Sequence, residues 1–205
     1  MQSTKERWIM DKLYKLIDEI REYGENNSVP IMSRDTITTI QNIIKENNVK
    51  TILEIGTAIG YSTICFASTG IDKIESIERD KDRYIKAVSN VEKSNLKNIS
   101  LNLMDVFDYN TTDKYDLIII DAAKSQNKKI FEKFMNNLNQ NGIIIIDNLS
   151  FHGYVGKSNE IKSRNLRQMV RKIEKFIEYL KENKEFQVEF IEVGDTLGVC
   201  KRKNL

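Results

Sequence analysis

The chain has 205 residues, ample for one hydrophobic core, and 32 Lys and Arg against 30 Asp and Glu leave a formal net charge of +2. That near balance neither demands nor excludes a nucleic-acid partner, and no apolar stretch reaches the roughly 18 residues of a membrane span. The two cysteines, Cys65 and Cys200, lie far apart without a CxxC spacing, which argues against a disulfide framework or a zinc site and for a reducing, cytoplasmic setting.

Residues 1–21 are charged throughout and hold no apolar core of signal-peptide length. Trp8, Ile9, Leu13, Leu16, Ile17 and Ile20 recur at helical spacing and predict a helix over 3–23, ended by Gly24 and Asn26-Asn27. Val29 must be extended because a proline follows it, and Ser33 reads as the N-cap of a helix to about Asn47. Strands are predicted at 50–55, 73–77, 99–104, 114–120 and 143–146, alternating with helices at 61–68, 81–93, 127–138 and 162–181. Two final strands, 186–191 and 196–201, are joined by the turn Val193-Gly194-Asp195 and should run antiparallel. Alternation of this kind implies a doubly wound α/β sheet, mostly parallel, seven-stranded, with one antiparallel strand at the C-terminal end. One Pro and nine Gly argue against linkers, so 1–205 reads as one domain with residues 1–48 as a helical cap.

The acidic residues are placed by this topology. Glu54, Glu78, Asp105, Asp121 and Asp147 close the first five strands, and ligands of open α/β sheets bind at those carboxyl ends. Gly56-Thr57-Ala58-Ile59-Gly60 after the first strand is one glycine short of a dinucleotide fingerprint. Glu54, two residues before Gly56, disfavours a pyrophosphate and suits a cationic group such as the amino group of S-adenosylmethionine (SAM). Glu78 fits a carboxylate that accepts from two ribose hydroxyls. A tight turn with no ligand is the plain alternative for the glycine loop alone. Asp121, Asp147 and Asn148 at neighbouring strand ends would offer hard oxygen ligands to a cation, with Lys124 three residues beyond Asp121. Taken singly, Asp121 reads equally as a cap, Asp147-Asn148 as a turn, and Lys124 as a solvated lysine.

The string from Glu54 to Ser62, Glu-Ile-Gly-Thr-Ala-Ile-Gly-Tyr-Ser, resembles the first motif of class I methyltransferases, in the variant of the catechol and caffeoyl-CoA O-methyltransferase family. The likeness extends to Asp121-x-x-Lys124, to Asp147-Asn148 and to Val29-Pro30-Ile31-Met32-Ser33, nearly the whole chain. It implies a Rossmann-like methyltransferase fold, commonly a homodimer. It implies SAM contacts from Met32, Glu54, Gly56, Ser62, Glu78, Asp105, Val106 and Asp121. It also implies a divalent metal, usually magnesium, on Asp121, Asp147 and Asn148, with Lys124 as general base.

Methyl transfer from a sulfonium needs a deprotonated oxygen held in line, and a cation would orient and stabilise that oxygen. For the acceptor, Phe151 stands where phenolic enzymes of the family often carry Trp, and an insertion for large phenylpropanoids is missing. Lys157, Lys162, Arg164, Arg167, Arg171 and Lys172 cluster after the metal loop, and the three arginines share a helix face suited to a phosphate backbone or to water. The stretch Phe151-His152-Gly153-Tyr154-Val155 with Arg164-Asn165-Leu166-Arg167 is similar to bacterial members that methylate 5-hydroxyuridine in tRNA. That likeness implies an anticodon loop as partner and 5-methoxyuridine at the wobble position as product. A small catechol is the competing acceptor. A non-catalytic SAM- or RNA-binding module would need neither Lys124 nor the Asp-Asp-Asn set, and a nicotinamide dehydrogenase is disfavoured by Glu54 and the missing glycine.

Overall fold

The computed structural model describes residues 4–203. Six helices and seven strands follow in order: α1 (Thr4–Asn26), α2 (Arg34–Glu46), β1 (Thr51–Ile55), α3 (Tyr61–Ala67), β2 (Lys73–Glu78), α4 (Lys81–Ser94), β3 (Ile99–Leu103), β4 (Tyr115–Ile120), α5 (Asn127–Phe134), β5 (Leu138–Ile146), α6 (Arg164–Lys181), β6 (Phe186–Ile191) and β7 (Leu197–Arg202). The expected helix start at Ser3 lies outside the described residues. Ser33 caps α2 as its sequence predicts, its hydroxyl accepting from the Thr36 N–H at 3.1 Å.

The strands form one sheet in the order β3-β2-β1-β4-β5-β7-β6. β1 to β5 are parallel, and β7 is antiparallel to both β5 and β6. The single reversed strand is β7, the C-terminal one as expected, and it lies between β5 and β6. One boundary differs from expectation. The strand predicted at 143–146 starts earlier: β5 begins at Leu138, includes Asn141-Gly142 and carries an irregularity opposite residues 115–117 of β4. Pairing of Leu138 with Tyr115 extends the strand beyond its apolar run, and the predicted helix 127–138 stops at Phe134.

The central strands are apolar on both faces because helices cover both. Leu117, Ile119, Ile143 and Ile145 pack with α1, α2 and α3 through Ile20, Ile40 and Phe66. Ile118, Ile120, Ile144 and Ile146 pack on the other side with Phe131, Phe134, Ile173 and Phe176 of α5 and α6. This period-two split fixes which residues can reach the rim, where the apolar runs end and the acids begin.

Candidate active site

At the end of β1, Gly56 has φ +112°, and a Cβ there would collide with the Asp121 carbonyl oxygen. The glycine lets the ends of β1 and β4 approach, as the Asp121 N–H donating to the Ile55 carbonyl at 2.9 Å shows. Beside this junction lies a cavity of about 300 Å³, lined among others by Gly56, Ala58, Glu78, Asp105, Val106 and Asp121. Glu78 is already held by the backbone. Its Oε2 accepts from the Ala58 N–H at 2.8 Å, and Oε1 accepts from the N–H groups of Arg79 and Asp80 at 2.9 and 2.8 Å. Asp105 accepts from the Phe107 N–H at 2.9 Å and lies 3.9 Å from the Arg79 guanidinium.

Glu54 is placed differently from the direct ligand contact expected of it. It is 0 % exposed, and no atom of it lines either cavity described here. Ser62 and Ser76 donate to it at 2.6 Å each, and Thr63 donates as well. Burial pushes its carboxyl upward, against these three hydroxyls, which favour the charged form. Glu54 thus anchors the strand end and Ser62 from below. Ser62 is itself buried, and Met32 lines a second cavity rather than the first.

That second cavity, about 690 Å³, is bounded by Pro30, Ile31, Met32 and Ser33 on one side and by Ser150, Phe151, His152 and Asp195 on the other. Asp147 and Asn148 lie in its wall, and Asp121, Lys124 and Pro30 line both cavities. The Lys124 ammonium donates to Asp121 Oδ1 at 2.5 Å, and the Asn148 amide nitrogen lies 3.4 Å from the same oxygen. Asp147 is 4 % exposed and accepts from the Asn148 N–H at 2.7 Å. Its carboxyl is pushed up to about 7, first by burial and then by the charge of Asp121. Two carboxylates crowded at the head of a cavity are the donor chemistry of a hard divalent cation, and Asn148 can complete the set by turning its amide oxygen inward. Among the described residues no three His, Cys, Asp or Glu side chains converge as a metal set, so a cation held here would need the amide.

The basic residues do not form one open face. Arg167 is half-buried and donates to the carbonyls of Ile161 at 2.8 Å and Lys162 at 3.3 Å. Arg171 donates to Asn159 at 2.9 Å, and Glu174 accepts from the Gly156 N–H at 2.9 Å. These three side chains brace the loop before α6. Lys157, Lys162, Arg164, Arg171 and Lys172 are exposed.

Several site residues escaped sequence reasoning. Arg79 and Arg83 line the first cavity; Thr63 and Ser76 hold Glu54. Ser76 shares its face of β2 with Ile74 and Glu78, so the alternation of the strand does not single it out. In the sequence Asp195 marks only a turn. Because β6 runs parallel to β5, the turn after β6 must return to the ligand end, so its placement also followed from the topology.

A glycine loop after β1, an acid closing β2 and a second cavity sharing Asp121 and Lys124 define a class I SAM-dependent methyltransferase. A family model described as O-methyltransferase matches residues 4–203, and the chain belongs to that family. A Staphylococcus aureus structure, given as a candidate caffeoyl-CoA O-methyltransferase, is 35% identical with a TM-score of 0.87, covering 98% of this chain and 100% of that one. The caffeoyl-CoA O-methyltransferase of Populus kitakamiensis is 24% identical over 92% of this chain and 87% of its own. A Bacillus cereus O-methyltransferase in complex with SAH shares the fold, with a TM-score of 0.80, 23% identity and coverage of 92% and 91%. The protein is a SAM-dependent O-methyltransferase of the caffeoyl-CoA O-methyltransferase-like family.

Proposed function

We propose that the chain is a metal-dependent tRNA methyltransferase that converts 5-hydroxyuridine to 5-methoxyuridine at the wobble position. The observation that carries the reading is the sharing of Asp121 and Lys124 between the two cavities, with Asp147 and Asn148 alongside. Gly56, Glu78, Asp105 and Val106 hold SAM in the smaller cavity, with Met32 on the wall of the neighbouring cavity and Ser62 held beneath by Glu54. Asp121, Asp147 and Asn148 would hold a magnesium ion, which supplies Lewis-acid stabilisation of the acceptor oxyanion. Once its ammonium has released a proton to solvent, the Lys124 amine takes the proton from the acceptor hydroxyl, and the freed oxygen attacks the methyl carbon as the carbon–sulfur bond breaks. Products are the methyl ether, S-adenosylhomocysteine and the proton on Lys124.

Support for a nucleobase acceptor comes from the mouth of the larger cavity. Phe151 packs at 5.3 Å from the His152 ring and 6.4 Å from the Tyr154 ring, and Tyr154 is exposed. Such rings suit an unstacked base, whose 5-hydroxyl and 4-carbonyl offer neighbouring oxygens. Exposed Lys157, Lys162, Arg164 and Lys172 supply charge for the backbone, whereas Arg167 and Arg171 act chiefly on their own loop. Exposed Trp8, Ile9 and Tyr14 on α1 offer an apolar surface for a homodimer, and a cytoplasmic location goes with tRNA as substrate. Deletion of the gene should remove 5-methoxyuridine from tRNA and raise 5-hydroxyuridine. An unchanged nucleoside profile overturns the tRNA reading. A small catechol is the second reading, favoured by the name of the Populus relative. Efficient methylation of catechol with indifference to tRNA would establish it.

A further inference from the structure

The loop between β5 and α6 opens with an unusual backbone run. Asn148, Phe151 and His152 have φ of +64°, +44° and +54°, and Gly153 follows at +73°. Phe151 and His152 are not glycines, so their side chains disfavour this left-handed conformation, and something outside the segment must hold it. Asp195, at the tip between β6 and β7, is placed to do so. Its carboxylate accepts from the His152 N–H at 2.7 Å through Oδ1 and 2.9 Å through Oδ2, and the Ser150 hydroxyl donates to Oδ1. Its carbonyl accepts from the Ser150 N–H at 3.0 Å, and the Thr196 carbonyl accepts from the Leu149 N–H at 3.0 Å.

The same tip presses on the opposite wall of the cavity. A Cβ on Gly194 would collide with the Thr36 hydroxyl and reach the Ser33 hydroxyl at 3.3 Å. Ser33 and Thr36 line the cavity beside Met32. The tip therefore touches Ser33 and Thr36 with Gly194 and the aromatic loop with Asp195.

Ser150, His152 and Asp195 are the residue types of a hydrolytic triad, but their geometry is not one. The serine hydroxyl donates to the aspartate, not to the imidazole, and His152 Nδ1 lies 3.6 Å from Asp195 Oδ2 with the side chain 72 % exposed. The carboxylate is committed to loop atoms.

We propose that Asp195 is the positioning residue for the acceptor: it locks Phe151 and His152 in their left-handed conformation so that their rings form the acceptor wall. The proposal rests on the larger cavity being the acceptor site, but the hold on the loop does not depend on which acceptor enters. His152 is the only histidine, so its ring gives one nuclear magnetic resonance signal that reports on this loop alone.

The test uses the full chain saturated with S-adenosylhomocysteine and magnesium, with catechol as the probe acceptor. In the unsubstituted protein the His152 ring signal is expected to be single, displaced from that of a free imidazole, and moved by catechol. In Asp195→Ala it should collapse toward the free-imidazole position, and catechol should bind at least tenfold more weakly. S-adenosylhomocysteine affinity should stay within twofold, which global damage would not allow. Asp195→Asn, retaining one acceptor oxygen, should fall between. An unmoved histidine signal in Asp195→Ala, or equal losses of both ligands, overturns the proposal. Collapse of the signal together with no catechol response in the unsubstituted protein upholds the hold on the loop and counts instead against the acceptor reading.

Discussion

The two halves of the site are built in opposite ways. Around the smaller cavity the acids are satisfied by their own chain: Glu54 by three hydroxyls, Glu78 by three backbone N–H groups. Around the larger one, Asp121 leans on Lys124, Asp147 on a single N–H, and the aromatic loop is held in strained backbone from the β6–β7 tip. The first half has its acids already bonded to their own chain. The second keeps charge in reserve, with carboxylates close together and a lysine that can be released. Chemistry belongs where protein partners are fewest, and binding where they are already arranged.

Substitutions can break or sharpen this contrast. The largest effect is expected in the half that holds charge in reserve. Lys124→Met should lower kcat by roughly 100- to 10,000-fold while leaving SAM affinity within a few-fold, measured by single-turnover kinetics and calorimetry. Comparable losses in both quantities would mean that the halves are not separable. Next comes Gly56→Ala, which strains the junction the halves share. Its new Cβ meets the Asp121 carbonyl at a φ of +112°, so a loss of about 3 kcal/mol in unfolding free energy is expected. A thermal midpoint equal to that of the unsubstituted protein would show that β1 and β4 can part freely.

Glu78→Ala tests the preset half. Removing a carboxylate that orients the loop and would accept from ribose should weaken SAM by about 2 kcal/mol, near thirtyfold, with acceptor KM unchanged. A shift in acceptor KM as large as that in SAM affinity would blur the division. The smallest effect is expected at the far, amino ends of the strands. There Asp116 accepts from the N–H groups of Lys50 and Thr51 and from Asn139. Burial pushes this carboxyl up, but those donors together outweigh it and leave it below the ordinary aspartate value of 3.8. A depressed folded value stabilises the native state above the unfolded value and loses that stabilisation as pH falls through the folded one. Asp116→Asn should thus cost about 1 kcal/mol near neutral pH, allowing for solvent screening, and less as pH falls through the depressed folded value. A penalty independent of pH would assign the effect to packing alone.

The sequence made one half far more legible than the other. Strand ends could be read because apolar runs stop at Glu54, Glu78, Asp105, Asp121 and Asp147, and the observed strand order brings these ends into one row. The glycine at position 56 could be read because only glycine tolerates the approach it makes. Side-chain direction could not. Glu54 shares its strand end with Gly56, yet its carboxylate turns inward to Ser62, Thr63 and Ser76, which depends on three elements packing at once. The arginines at 167 and 171 have the spacing of a surface stripe, and only the path of the preceding loop reveals the carbonyl and amide oxygens to which they donate. Asp195 is more than 40 residues from the atoms it holds, so no local pattern marks it.

The most direct test is a methyl-transfer assay with purified protein, labelled SAM and tRNA from a strain lacking the gene. Incorporation at the wobble uridine is expected with magnesium, and its loss on adding a chelator, with Lys124→Met inactive in either case. Equal incorporation with and without chelator, or undiminished incorporation by Lys124→Met, would contradict the shared role of Asp121, Asp147, Asn148 and Lys124.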